Sequence, residues 1–100
     1  MSGLDEVPDD ATMFSKACSC SPDCKGFTII NKHGKSVGLL EWWEKRNKVD
    51  IYLYDYRITS KSIDKHTIKC HYCWQEIEDV NIVARVKKLV KEYLEALIRS

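Results

Sequence analysis

Between Phe27 and Ile77 the apolar positions recur with a period close to two, and from Ile82 onward the period lengthens to three or four. Side chains alternate across a strand and return to one face of a helix every 3.6 residues, so the change of period marks a change of element. Phe27-Thr28-Ile29-Ile30 is rich in β-formers. Asn31-Lys32-His33-Gly34-Lys35 reads as a turn, with Gly34 able to supply a positive φ. Val37 to Trp43 resumes the extended pattern, and Arg46-Asn47 marks a second, charged turn. Val49 to Ile58 is the clearest strand, because Ile51-Tyr52-Leu53-Tyr54-Asp55-Tyr56 alternates almost without fault. Residues 59–65 are polar and predict a loop, and Thr67 to Ile77 forms a fourth extended segment.

The last segment predicts a helix. Asp79 is placed to cap its N-terminus, after which Ile82, Val83, Val86, Leu89, Val90, Tyr93, Leu94, Leu97 and Ile98 share one face. Full burial of such side chains is worth about 1.5–3 kcal/mol each, which makes this helix the main clamp on the sheet. Much of that gain offsets the entropy of ordering the chain. Glu92 is placed to pair with Lys88, and Glu95 with Lys91 or Arg99. The predicted architecture is α+β: a four-stranded antiparallel sheet (ββββα) packed by one C-terminal amphipathic helix, with a cysteine-containing N-terminal loop. Residues 1–16, acidic and without a sustained period, predict a flexible arm, and residues 17–100 a single domain.

If His33-Gly34 and Arg46-Asn47 are two-residue turns, one sheet face collects Phe27, Ile29, Leu40, Trp42, Ile51 and Leu53. The other collects Thr28, Ile30, Val37, Leu39, Trp43, Tyr52, Tyr54 and Tyr56. In the fourth strand Ile68, Cys70, Tyr72 and Trp74 share a face, with Thr67, Lys69, His71 and Cys73 opposite. Both faces of the first three strands are substantially apolar, and one helix covers only one of them. The second face therefore needs the N-terminal arm, a second subunit or a ligand. A stripe of Trp43, Tyr52, Tyr54 and Tyr56 edged by Lys45, Arg46 and Lys48 suits a protein partner or self-association. The same mixture of rings and cations also suits stacking of single-stranded nucleic acid. The predicted topology is similar to that of single-strand-binding coactivator domains, which dimerise through their C-terminal helix. The similarity is one of topology, with no shared residue motif, so it carries over no site.

Composition sharpens this picture in two places. The formal net charge of +1 hides an asymmetry: residues 1–24 hold five acids and one lysine, leaving fifteen basic against ten acidic residues in the remainder. An acidic arm thus precedes a mildly basic body. No apolar run reaches the roughly 18 residues that span a bilayer, and the N-terminus has no apolar core of a secretory signal, which predicts an intracellular, non-membrane protein.

The five cysteines form two clusters, Cys18, Cys20 and Cys24 near the N-terminus and Cys70 and Cys73 some 46 residues later. Cys20, Cys24, Cys70 and Cys73 could hold a structural zinc ion through four thiolates. An N-terminal cysteine joined to Cys70 or Cys73 by a disulfide would tie the loop to the last strand, worth about 3–4 kcal/mol by loop closure. The thiols could equally have no shared role. In a regular strand Cys70 and Cys73 point to opposite faces, and no Gly or Pro lies between them to turn the chain. No nucleophile elbow, phosphate loop or zinc-protease helix is present. His71 adjoins Cys70, but neighbours in a strand point apart and make a poor nucleophile–base pair. The expectation is a non-enzymatic binding module stabilised by its cysteines. Nucleic-acid binding stands as the first alternative and redox- or metal-linked regulation as the second.

Overall fold

A computed structural model of the chain describes residues 26–43 and 48–99. It contains strands β1 (Gly26–Ile30), β2 (Ser36–Trp43), β3 (Lys48–Leu53) and β4 (Thr67–Cys70), a 3-10 turn at Ser62–Lys65, and the helix α1 (Val80–Arg99). The strands form one antiparallel sheet in the order β3-β2-β1-β4, so the chain returns across the sheet to place β4 beside β1. The four-stranded sheet packed by one C-terminal helix is therefore the architecture its periodicity predicts. The expected acidic arm, residues 1–16, lies outside the described residues.

Phe27, Ile29, Leu40, Trp42, Val49, Ile51, Ile68 and Cys70 form one core with Ile82, Val86, Leu89, Val90 and Leu94 of α1. Ile58, Ile63 and Ile77 close its margins. Cross-strand pairs such as Phe27↔Leu40, Leu40↔Ile51 and Ile29↔Ile68 keep these side chains on the helix side. Asp79 caps the helix: its Oδ1 accepts from the backbone N–H groups of Asn81 (2.9 Å) and Ile82 (3.3 Å). Leu97 and Ile98, on the predicted apolar face, are exposed in the last turn. Lys91 pairs with Asp64 at 2.6 Å, and Lys87 Nζ donates to the Asp64 carbonyl at 3.1 Å, fastening the helix to the 3-10 turn.

The register departs from two-residue turns without altering most faces. Leu40 pairs with Ile51 and Trp43 with Lys48, leaving residues 44–47 between β2 and β3. That is a shift of two positions, and an even shift returns every side chain to its own face. At the other hairpin, Asn31 Oδ1 accepts from the N–H groups of His33 and Lys35, and Gly34 adopts φ 80°. The register then slips between Ile29 and Ile30, so that Ile30 faces Ser36. This bulge carries Val37 into the core cluster, against its predicted place on the opposite face. On that opposite face, buried Thr28 donates to the Gly38 carbonyl at 3.2 Å and its hydroxyl meets Ser36 Oγ at 2.6 Å.

Two predicted strands are shorter than their sequence pattern. β3 ends at Leu53 because Asp55 turns the chain: its Oδ1 accepts from the Arg57 N–H at 3.0 Å. β4 ends at Cys70, the chain reverses through residues 71–74, and residues 75–77 run back beside β4. Cys70 N–H donates to the Gln75 carbonyl (2.8 Å) and Ile77 N–H to the Ile68 carbonyl (3.0 Å).

Gly38 sits where two strands and the core approach closely. A Cβ there would lie 2.8 Å from Leu53 Cδ2, 3.1 Å from the Tyr52 carbonyl oxygen and 3.2 Å from Ile29 Cδ1. Gly38→Ala is expected to destabilise the fold by about 1–3 kcal/mol, the usual cost of overpacking, although Ala is ordinarily the better strand residue. Urea unfolding checks this, and a stabilised variant would show that the contact has room to relax.

Candidate functional site

The face of the sheet turned away from α1 is divided. Thr28, Ile30 and Leu39 are buried on it, while Trp43 and Tyr52 are 42% and 47% exposed at its β2–β3 margin. The pairing fixes what lies between the two rings. Trp43 faces Lys48, Glu41 faces Asp50, and Leu39 faces Tyr52, each pair one step of two residues from the next. Two carboxylates therefore sit side by side between two aromatic residues. Directly opposed like charges are unfavourable, and Lys48 Nζ relieves this one at 3.3 Å from Asp50 Oδ1. Lys45 and Arg46, expected to edge the same surface, lie outside the described residues.

Tyr54 and Tyr56 do not continue this stripe. Tyr54 N–H still donates to the Val37 carbonyl at 2.9 Å, but the Asp55 turn then lifts Tyr56 off the sheet, 94% exposed. Arg57 grips Asp55 through two parallel contacts, Nε to Oδ1 at 3.0 Å and one terminal nitrogen to Oδ2 at 3.1 Å. These hydrogen bonds hold the Asp55 carboxyl below its ordinary range, with Lys35 adding a smaller attraction. They also raise Arg57. Two adjoining depressions, about 320 and 390 Å³, share Asn31, Asp55 and Arg57. Tyr54, Tyr56 and Lys35 line the first, and Lys32, His33, Lys65 and His66 the second.

A carboxylate depressed in the folded state contributes stability above its unfolded pKa and loses it as pH falls through the folded value. Arg57→Gln is expected to return the Asp55 midpoint toward that of an ordinary carboxylate. Carbon-13 NMR titration of Asp55 reads this directly, and an unmoved midpoint would remove Arg57 as the cause.

The second cysteine cluster is not a plain strand. The reversal at residues 71–74 has Trp74 N–H donating to the Cys70 carbonyl at 2.9 Å, and Trp74 itself adopts φ 62°. Cys70 is wholly buried in the core and Cys73, half-buried, packs against it. The turn thus brings to one side two residues that a strand would hold apart. Trp74 moves the other way: its ring lies under Lys69 Nζ at 5.6 Å, on the face opposite Ile68 and Cys70. The structural zinc expectation is corrected. Among the described residues no group of three or more His, Cys, Asp or Glu side chains gathers where it could hold a metal ion. Cys20 and Cys24, the other two expected ligands, lie outside the described residues, as does Cys18.

A non-glycine residue in the left-handed region carries a backbone cost of about 1–2 kcal/mol, greatest for β-branched side chains. Trp74→Gly is therefore expected to be more stable than Trp74→Val by at least about 1 kcal/mol. Paired thermal and urea unfolding of the two variants checks it, and equal stabilities would contradict the assigned turn.

A third depression, about 700 Å³, lies between the 3-10 turn, residues 76–80 and α1. Two of its three lysines, Lys87 and Lys91, are engaged with Asp64, and Glu76 and Glu78 share the lining, so its charges are mixed. Among the described residues no helix is long and apolar enough to cross a membrane. No protein-family model, curated protein or solved structure matches the chain. The functional reading accordingly rests on the surface itself. Glu41 and Asp50 are absent from the predicted stripe, although they fall in phase with Trp43 and Tyr52 in the sequence.

Proposed function

We propose that this chain is a non-enzymatic interaction module that associates with a second copy of itself through the β2–β3 margin. The observation that carries the reading is the half-exposure of Trp43 and Tyr52 on the face where Thr28, Ile30 and Leu39 are buried. Large rings of this kind dominate interface energetics once covered. The same margin carries both signs of charge, Glu41 and Asp50 next to Lys48. A patch with both signs is self-complementary under a two-fold axis, where the acids of one protomer meet the lysine of the other. Among the described residues β3 is an edge strand of the sheet, so a second copy can also approach along its outer side.

Charge exchange tests this reading. Light scattering is expected to show a dimer of the parent chain. Lys48→Glu alone and Asp50→Lys alone are each expected to weaken dimerisation about tenfold or more, since charged contacts at a covered surface are worth about 1.5–3 kcal/mol. An equimolar mixture of the two variants is expected to restore a heterodimer. A parent chain that remains monomeric at about 1 mM, where even an association of about 4 kcal/mol would register, overturns the proposal.

A further inference from the structure

At the other end of the sheet the two adjoining depressions have a different character. Lys32, His33 and Lys35 come from the β1–β2 turn, Arg57 from the turn after β3, and Lys65 and His66 from the end of the 3-10 turn. Three loops distant in sequence thus bring basic side chains to two depressions that meet at Asn31, Asp55 and Arg57. Among the described lining residues Asp55 is the one carboxylate, and Arg57 holds it through both oxygens. Its charge is largely answered locally, which leaves Lys32, Lys35 and Lys65 as the excess. The grip on Asp55 also fixes the plane of the guanidinium, on a side chain that is 81% exposed, and leaves its other N–H groups for another acceptor.

Tyr54 and Tyr56 stand on the rim of the same surface, 60% and 94% exposed. The combined space of the depressions falls within the range of small-ligand sites. Cations that track phosphates beside rings that stack on bases are the two parts of a single-strand platform. An acidic peptide would use the cations and leave the rings idle.

We infer that the cleft between the β1–β2 turn and residues 55–66 binds single-stranded nucleic acid, with phosphates against Lys32, Lys35 and Lys65 and a base stacked on Tyr54 or Tyr56. This site lies apart from the Trp43–Tyr52 margin and does not depend on self-association.

Fluorescence anisotropy of a labelled twelve-residue thymidine oligonucleotide, with the full chain as titrant, tests it. Binding is expected to weaken with salt with a logarithmic slope of about −2, the value for three phosphate contacts on a single strand. Lys32→Glu with Lys65→Glu is expected to reduce affinity at least tenfold. Tyr56→Ala, or Tyr54→Ala if that ring is the platform, is expected to cost about 5- to 150-fold, the equivalent of one stacked base. All of these positions are exposed or half-exposed, and unchanged melting temperatures confirm that each variant folds. Lys88→Glu, a charge reversal at an exposed position of α1, is expected to bind as the parent does, which separates this site from net charge alone. The inference is overturned by no binding at 50 mM salt, equal binding to a polyglutamate of the same charge, equal binding to a twelve-base-pair duplex, or thymidine monophosphate binding as tightly as the oligonucleotide. Tyrosine variants that both bind as the parent does would overturn it as well.

Discussion

Strand β1 is buried along its whole length, and the rest of the structure is arranged to make that burial possible. A strand removed from water on both faces must have its backbone groups paired and its side chains packed on both sides. β2 and β4 supply the pairing, one on each edge. α1 supplies the packing over Phe27 and Ile29. On the other face the Thr28 hydroxyl is satisfied by the Gly38 carbonyl and Ser36, so a buried polar group costs little. The return of the chain to form β4 beside β1, instead of beside β3, follows from this need. It puts the most apolar strand at the centre and leaves β3 at the margin.

The two edges of the sheet are then unequal. The outer side of β4 is paired by its own continuation, because residues 75–77 fold back along Ile68 to Cys70. The reversal that does this forces Trp74 to positive φ, a cost the paired edge and the covered Cys70 offset. β3 has no such return among the described residues. Its protection is the alternation of Lys48 and Asp50 with buried Val49 and Ile51, the charged edge that discourages uncontrolled pairing. A surface held open by charge, with two rings beside it, is available for a specific contact that matches those charges.

The helix and the two faces of the central strands were legible in the sequence because both depend on parity and period alone. Asp79 caps where its position suggested, and Phe27, Ile29, Leu40, Trp42 and Ile51 all reach the core although the β2–β3 pairing is displaced by two. The ends of β3 and β4 were not legible, for a different physical reason. Alternation at Tyr54 and Tyr56 continues the strand pattern, but a single side chain, Asp55, offers the backbone a competing hydrogen bond and gripping by Arg57 secures it. At Cys70 to Trp74 nothing in the residue types marks a turn, since the left-handed position is filled by Trp. Val37 changed faces through a bulge that lies between ordinary strand residues. Each failure is a local backbone event that period-two reasoning does not contain.

The same event at Asp55 reshapes the candidate surface. Read as one strand, Trp43, Tyr52, Tyr54 and Tyr56 form a continuous aromatic stripe edged by cations. Folded, the stripe breaks into two ends of different electrostatic character, one carrying both signs of charge and the other mainly basic. Around Trp43 and Tyr52 the intervening residues are Glu41 and Asp50, which would repel a phosphate backbone. Around Tyr54 and Tyr56 the neighbours are Lys32, Lys35, Arg57 and Lys65, which would attract one. The proposed protein contact and the proposed nucleic-acid contact, which compete for one surface when the sequence is read as a line, therefore fall at separate ends of the sheet. The turn that ends β3 is what separates them, and Arg57 serves both sides of that division: it locks the turn through Asp55 and adds its exposed guanidinium to the basic end.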